Sequence, residues 1–459
     1  MIGRGELVPG DWCDIRQGHR SREDTGGVGS GLTLADPAHR VAAMSQIAET
    51  PTDVSAAPVS RHAVTFVLIT VFLDMVGFGL IMPVLPKLIE GVGHVTIDRA
   101  AIIGGWMFAA FSLAQFFFAP LMGNLSDRYG RRPLLLLAIF GLGMDFILMA
   151  LAPTLGWLFA GRIIAGVCGA SWIIASAYIA DVTAPDDRAK AFGYMGAAFG
   201  VGFVIGPAIG GLLGELGPRV PFWVAAGISL VNFCYGWFVL PESLAPGNRR
   251  RFELARANPF GAFRVFATYR GVLPMVLVLG LYFFATSVYP AIWTFWGIAK
   301  FGWSEAMVGV TLAVFGLVAG AFQGFLTGPA TERFGEWRLA LIGLVCSMLV
   351  VLGYGFVGSV VGVFALMILH GPEGFVHPLL TAILTKRVPE DAQGELQGGI
   401  SAVMNVAMLF GTVFFAFIFG HFWAEDRVWR STDVAFWVAT GFLLLTIGLF
   451  LALKRHEKA

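Results

Sequence analysis

Three charged residues stand where every neighbour is apolar. Asp74 lies in LITVFLDMVGFGLI, Asp145 in LAIFGLGMDFILMA and Arg162 in WLFAGRIIAGVCGA. A charge at the centre of a hydrocarbon core costs about 2.5–3.5 kcal/mol, so such a residue is paired or functional. Asp74 is eleven residues into its apolar run, roughly 16 Å at 1.5 Å per residue, near the middle of a core of about 30 Å. A carboxylate there can take up and release a proton from a central cavity. Asp145 lies at comparable depth and is a second candidate. Arg162 keeps its charge at physiological pH, so it cannot carry the proton, but it can hold a nearby carboxylate ionised. The plainer alternative makes both acids buried groups held by a hydroxyl or by Arg162, and Arg162 an arginine snorkelling near the outer surface. Further on, HGPEGFVHP places His370, Glu373 and His377 at i, i+3 and i+7 of a helix face. Two histidines and an acid can ligate a metal or handle protons. Pro372 and Pro378 disturb that face, and the reading taken is proton handling, with no metal site.

A different chemistry is concentrated in Gly123 to Pro133, GNLSDRYGRRP, between two long apolar runs. Its charges exclude it from a hydrocarbon core, so a tight hydrophilic turn between two spans is expected. Asp127 can cap a helix end, while Arg128, Arg131 and Arg132 can reach carboxylates and helix C-termini of another part of the chain, which would make the cluster a gate. A role as topological anchors is the alternative. The pattern returns 205 residues later as GPATERFGEWR, with Gly123, Asp127, Arg128, Tyr129 and Gly130 matched by Gly328, Glu332, Arg333, Phe334 and Gly335. A second loop repeated at half the chain length predicts two related halves.

These groups need helices to carry them, and the composition supplies little else. With 57% hydrophobic and 13% charged residues over 459, the chain is an integral membrane protein, far from the soluble average. Twelve runs reach the roughly 20 residues a spanning helix needs: 63–89, 100–122, 133–153, 157–180, 190–214, 219–240, 271–299, 305–327, 338–357, 360–384, 395–421 and 433–453. The polar stretch 241–270, with Arg249, Arg250, Arg251, Arg256, Arg264 and Arg270, divides them six and six. The expected fold class is thus an all-α membrane protein in two six-helix bundles, 61–240 and 271–459, joined by a cytoplasmic linker at 241–270. Residues 1–60 are polar and lack an apolar signal segment, which predicts a disordered cytoplasmic tail, or an extension upstream of a start at Met44. One set of loops carries the linker arginines, Arg128, Arg131, Arg132, Arg188, Lys190, Arg333, Arg338, Lys386, Arg387, Lys454 and Arg455. The positive-inside rule then puts both termini in the cytoplasm. The four cysteines are scattered, three of them inside apolar runs, and read as small buried hydrophobes.

From about residue 61 the chain resembles the major facilitator superfamily, whose signature loop after span two is GNLSDRYGRRP. LDMVGFGLIMPVLP resembles the opening of proton-coupled drug exporters. Leu158, Arg162, Gly166, Gly169 and Ala170 have the spacing of the family's span-four arginine motif, with Ala165 where a glutamine is usual. Gly193, Gly202, Gly206, Pro207, Gly210 and Gly211 match the span-five antiporter motif. The tetracycline-exporter branch is the best match, through DRYGRRPLLLL, GMDF at Asp145 and FGWSEAMVGVTL running on to Gln323.

That resemblance implies a monomeric transporter in a bacterial inner membrane that exports an amphipathic, tetracycline-like drug against protons. It implies no cofactor beyond protons, no enzyme activity, and a substrate able to travel as a divalent-metal chelate. Export of another metabolite and a membrane sensor are the alternatives. Asp74, Asp145, Arg162 and Glu373 would couple protons. Asp74, Asp145, Gln323, Trp293, His370 and His377 would meet the substrate, with the aromatic residues Tyr282, Tyr289, Phe295 and Trp296 nearby; Trp296 can equally be an interface anchor. The branch's span-nine aspartate is matched here by Ser347 and its span-eight histidine by Ala319. Glu373, with His370 or His377, is therefore expected to carry the second half's polar function.

Overall fold

The computed structural model describes residues 61–253, 263–269, 271–389 and 392–456. The expected tail at 1–60, Arg256 and Arg270 lie outside the described residues. Hydrocarbon offers backbone groups no partner, so a spanning chain must satisfy its own hydrogen bonds as helix. Among the described residues twelve helices do so: α1 Ala63–Ile81, α2 Ile97–Tyr129, α3 Arg131–Leu151, α4 Leu155–Val182, α5 Lys190–Gly214, α6 Val220–Val239, α7 Val272–Phe301, α8 Glu305–Phe334, α9 Glu336–Tyr354, α10 Val360–Thr385, α11 Gln393–Trp423 and α12 Val434–Arg455. The described residues from 61 onward belong to one compact unit, with α1 packed on α5, α3 on α6 and α2 on α4. Across the sequence midpoint, α2 packs along α11 and α5 along α8.

The expected hydrophilic turn at Gly123–Pro133 shrinks to one residue. Helix α2 runs through NLSDRY to Tyr129, and α3 begins at Arg131. Gly130 between them has φ 108° and ψ 156°, and Gly335, its match in the repeat, has φ 74° and ψ 155°. Only glycine adopts such backbone without strain, which explains why this residue survives in both copies of the loop. The first span is shorter than the apolar run 63–89. Pro83 and Pro86 break it after Ile81, and a separate short helix Leu85–Gly93 comes next. Interior irregularities fall at related places in the two halves. α4 is interrupted at Gly169 and Ala170, and α10 passes through a 3-10 turn from Gly371 to Phe375. Gly371 and Gly374 lie 205 residues after Gly166 and Gly169.

Glycines of α5 set the closest approaches. A side chain at Gly202 or Gly206 would meet the backbone oxygens of Phe72 and Val76 at 2.6 and 2.7 Å, and Gly210 stands as tightly against Leu80 of α1. Gly211 faces Glu305 of α8 instead, and Gly309 of α8 faces the carbonyl of Pro207. The expected seam is therefore double, one edge within the first half and one between halves. Gly193 is not part of it, since nothing lies within 4 Å of its would-be side chain. Of the cysteines, Cys168 is buried but Cys234 is exposed, against the expectation that it is interior.

Candidate functional site

A cavity of about 490 Å³ lies between the two sequence halves. Asp74 and Arg162 line it from the first half, and Tyr289, Trp293, Tyr354 and His370 from the second. Phenylalanines of α1, α2, α3, α5, α7 and α8 and aliphatic side chains make most of the remaining wall, with Gln115 and Asn405 as amides in it. A largely apolar, aromatic chamber with a few polar groups suits a flat, partly apolar ligand.

The first-half charges form two adjoining contacts. Ser171 Oγ donates to Asp74 Oδ2 at 2.8 Å, so Asp74 both lines the cavity and is held by a hydroxyl. The two readings of this residue are thus compatible. Ser171 opens the second segment of α4, directly after the break at Gly169 and Ala170, which sets its hydroxyl against α1. Arg162 Nη2 lies 3.3 Å from Asp145 Oδ2, and Asp145 is fully buried. Asp145 does not line the cavity, against the expectation that it meets the substrate; it touches the cavity wall only through its pair with Arg162. Arg162 is itself buried and lines the cavity, which removes the snorkelling alternative.

The second half brings four polar groups together. Glu373, at the 3-10 turn of α10, accepts from Ser347 Oγ of α9 at 2.9 Å and from Tyr282 Oη of α7 at 3.2 Å, and it bonds His370 Nε2. Ser347 is the residue that stands where the resembled branch has its acid, so the carboxylate of α10 reaches that position from the neighbouring helix. His370 is buried, its Nδ1 has no partner, and its ring packs on Tyr289 and Phe315 at 5.0 Å each. The hydroxyls of Tyr289 and Tyr354 are likewise unpartnered and buried. Three free polar atoms thus sit on aromatic rings of one wall.

Other expectations are redrawn. His377 does not join this cluster, because the 3-10 turn rotates it away and its ring packs on Phe283 instead. Gln323 lies in a π-helical stretch, Phe322–Leu326, and does not line the cavity. Trp293 and Phe295 do line it, with Trp293 Nε1 donating to Thr311 at 3.0 Å. Trp296 is neither wall nor interface anchor: it is fully buried and donates to Asp433 at 2.8 Å, beside Lys300.

The loop cluster bonds within its own half. Arg131 Nη1 meets Asp127 at 2.6 Å and Ser126 at 2.6 Å, its Nε reaches Asp181 at 3.1 Å, and its backbone N–H donates to Glu242 at 2.8 Å. Arg132 donates to the carbonyl of Trp237 at 2.6 Å, closing the C-terminus of α6, and Arg128 lies over Tyr129. The expected reach into the second half is thus absent from these contacts. Bonds that join the halves among the described residues lie at the opposite end: Lys87 to Glu305 at 2.5 Å, Ala306 N–H to Glu215 at 3.2 Å, and Thr294 to the carbonyl of Met82 at 3.5 Å. Sequence reasoning missed Asp181, Glu242, Glu305 and Ser171. Asp181 alone was within reach, since adding the repeat spacing to it lands on Lys386, an ion-pairing residue of the second half.

The sequence model of the Major Facilitator Superfamily matches residues 67–299 and 275–459. The chain belongs to the major facilitator superfamily. Like other members of this superfamily it is a multi-pass membrane transporter and not an enzyme. It is 40% identical over 374 residues to the tetracycline resistance protein, class C, of Escherichia coli, covering 81% of this chain and 92% of that protein. Multidrug resistance protein 2 of Bacillus subtilis (strain 168) is 27% identical, over 75% of this chain and 85% of that one. The inward-facing, unoccupied structure of a bacterial homologue of the human lysosomal transporter Spinster superposes with a TM-score of 0.72 at 16% identity, covering 87% and 98% of the two chains. That likeness confirms the superfamily fold.

Proposed function

We propose that this transporter exports a tetracycline-like drug in exchange for protons, with Asp74 as the exchanging group. The observation that carries the reading is the position of Asp74, a carboxylate at mid-depth that lines the cavity and is held by Ser171. Arg162, fixed by Asp145, supplies positive charge on the same wall. In the cycle, Asp74 takes a proton from outside, the protein turns inward, the proton leaves, and the ionised site accepts an amphipathic drug, carried as a divalent-metal chelate. Glu373 with His370 forms the second-half counterpart. Two bundles, 61–240 and 271–459, rock about the contacts between α2 and α11 and between α5 and α8. The present arrangement is the inward-facing one, since the bonds between halves lie at the end away from the arginine-rich loops. The arginine bias of those loops supports a cytoplasmic position for them, and with them for both termini, in a bacterial inner membrane.

A gradient of one pH unit supplies about 1.4 kcal/mol per proton, and ~100 mV adds about 2.3 if net charge moves. Together these sustain roughly a several-hundred-fold drug gradient. An efflux-deficient host expressing the gene should grow at raised tetracycline, and Asp74→Asn should abolish uptake into everted vesicles while the protein inserts normally. Undiminished uphill uptake by Asp74→Asn removes Asp74 from the mechanism. A cysteine at Gly247 should stay unlabelled by an impermeant thiol reagent added to intact cells, and labelling from outside reverses the orientation.

A further inference from the structure

A second cavity, of about 570 Å³, is separate from the central one and bounded by the start of α3, the end of α6 and the segment after it. Its walls include Leu137, Phe140 and Trp237, which are exposed on the face a transporter presents to lipid. From Arg132 to Phe140 the slot descends about 12 Å along α3, at 1.5 Å per residue, from the arginine-rich boundary into the apolar layer.

The charges at its mouth do not balance. Glu242 is engaged, its Oε1 accepting from the backbone N–H groups of Arg131 at 2.8 Å and Leu244 at 3.1 Å. Arg132 spends one Nη on the carbonyl of Trp237, lies 5.9 Å from the centre of that indole, and keeps a buried Nε with no partner. Arg249 makes no side-chain hydrogen bond or ion pair among the described residues and lines the same mouth. Two guanidinium groups beside one carboxylate leave a net positive charge and a site for an anion, and the guanidinium fork matches phosphate oxygens. Directly beneath it is an apolar slot, which a free phosphate cannot fill.

We infer that this groove holds an anionic phospholipid, its phosphate between Arg132 and Arg249 and an acyl chain against Leu136, Leu137, Phe140 and Phe233. The lipid ties the segment after α6 to the helices of the gate loop, so its presence bears on how freely that loop moves. The site is independent of the export reading, because neither arginine lines the central cavity.

The test uses the purified full chain and native mass spectrometry after exchange into phosphatidylglycerol or phosphatidylcholine. The intact protein retains phosphatidylglycerol preferentially. Arg249→Gln lowers that retention about fivefold, the factor one basic residue contributes near an anionic lipid, and Arg249→Glu lowers it further. Arg251→Gln, on the same segment but outside the groove, leaves it unchanged. Millimolar inorganic phosphate displaces none of the lipid. Equal retention by wild type and both Arg249 variants, equal retention of the two lipids, an equal loss in Arg251→Gln, or displacement by phosphate alone overturns the assignment.

Discussion

Each half ties the start of its third helix to the end of its fourth at the arginine-rich end, and the two ties have opposite polarity. In the first half Arg131 opens α3 and pairs with Asp181 near the end of α4. At the same spacing in the repeat, Glu336 opens α9 and pairs with Lys386, just past α10, at 2.6 Å. The positions are kept and the charges exchanged, so the fold needs a link there and is indifferent to its direction. What differs is the setting. Arg131 is buried among Asp127, Ser126 and Asp181, whereas the Lys386 side chain is 66% exposed. A similar inversion recurs at mid-depth, where α4 supplies a cation to an acid of α3, and α10 supplies an acid to a hydroxyl of α9. The second half can keep the geometry of the first while offering the cavity a different chemistry.

That comparison is broken most severely at Arg162. Arg162→Leu leaves Asp145 buried and unpaired, which should cost about 3–5 kcal/mol in thermal unfolding of the detergent-solubilised protein. Adding Asp145→Leu should recover most of that stability without restoring drug export; a single variant as stable as wild type refutes the pairing. Glu373→Gln keeps the shape and two of the three donors, so it should lower stability by only about 1–3 kcal/mol, yet reduce export as far as Asp74→Asn does. Full proton-coupled export by Glu373→Gln would show that the second half's inverted arrangement is structural only.

The paired loops make a milder test. Arg131→Ala removes charge-assisted bonds from a buried network and should cost about 2 kcal/mol, while Lys386→Ala should stay within about 0.5 kcal/mol because its exposed pair is screened. Exchanging the two residues of the second pair, Glu336→Lys with Lys386→Glu, imposes the first half's polarity and should leave unfolding temperature and export unchanged. A large loss there would mean that polarity matters after all. The smallest effect concerns the opposite end. Hydrogen bonds from Ser304 and from the Ala306 N–H hold the Glu215 carboxyl below its ordinary 4.5. Its folded pKa is the lower one, so the contact it makes across the halves is present above pH 4.5 and is lost as pH falls through the folded value. The distance between spin labels placed at Leu216 and Met307 should therefore lengthen only at a pH below 4.5, and a distance that stays constant on acidification would discount the contact.

Number and order of spans were legible because the bilayer imposes a length that hydropathy reports directly. The halves' relation was legible because one loop repeats. Helix boundaries at Gly130 and Gly335 were not, since the charges of NLSDRY suggest a loop although nothing in them prevents a helix from extending into water. Asp74, Arg162, Trp293 and His370, each a polar or large aromatic group in an apolar run, could be picked out from the sequence, and all four line the cavity. Gln323 and His377 failed for a shared reason: a π-helical stretch and a 3-10 turn shift the angular position of nearby residues, and ideal helix spacing cannot show it. The partners of the loop cluster failed because they are distant in sequence and lie in the same half.

The long helices α2 and α11 approach closely at glycines near one end. Gly105 abuts Ala416 and Gly420 abuts the carbonyl of Asp98, all within the first ten residues of α2. Beyond Gly105, α2 continues for about 36 Å to Tyr129 at 1.5 Å per residue. This is the geometry of a lever with its fulcrum close to one tip: a tilt of about 10° at the glycine contact carries the far end some 6 Å, roughly. A single methyl at Gly105 would thicken the fulcrum against Ala416 and the carbonyl of Thr412, and so alter how wide the other end swings.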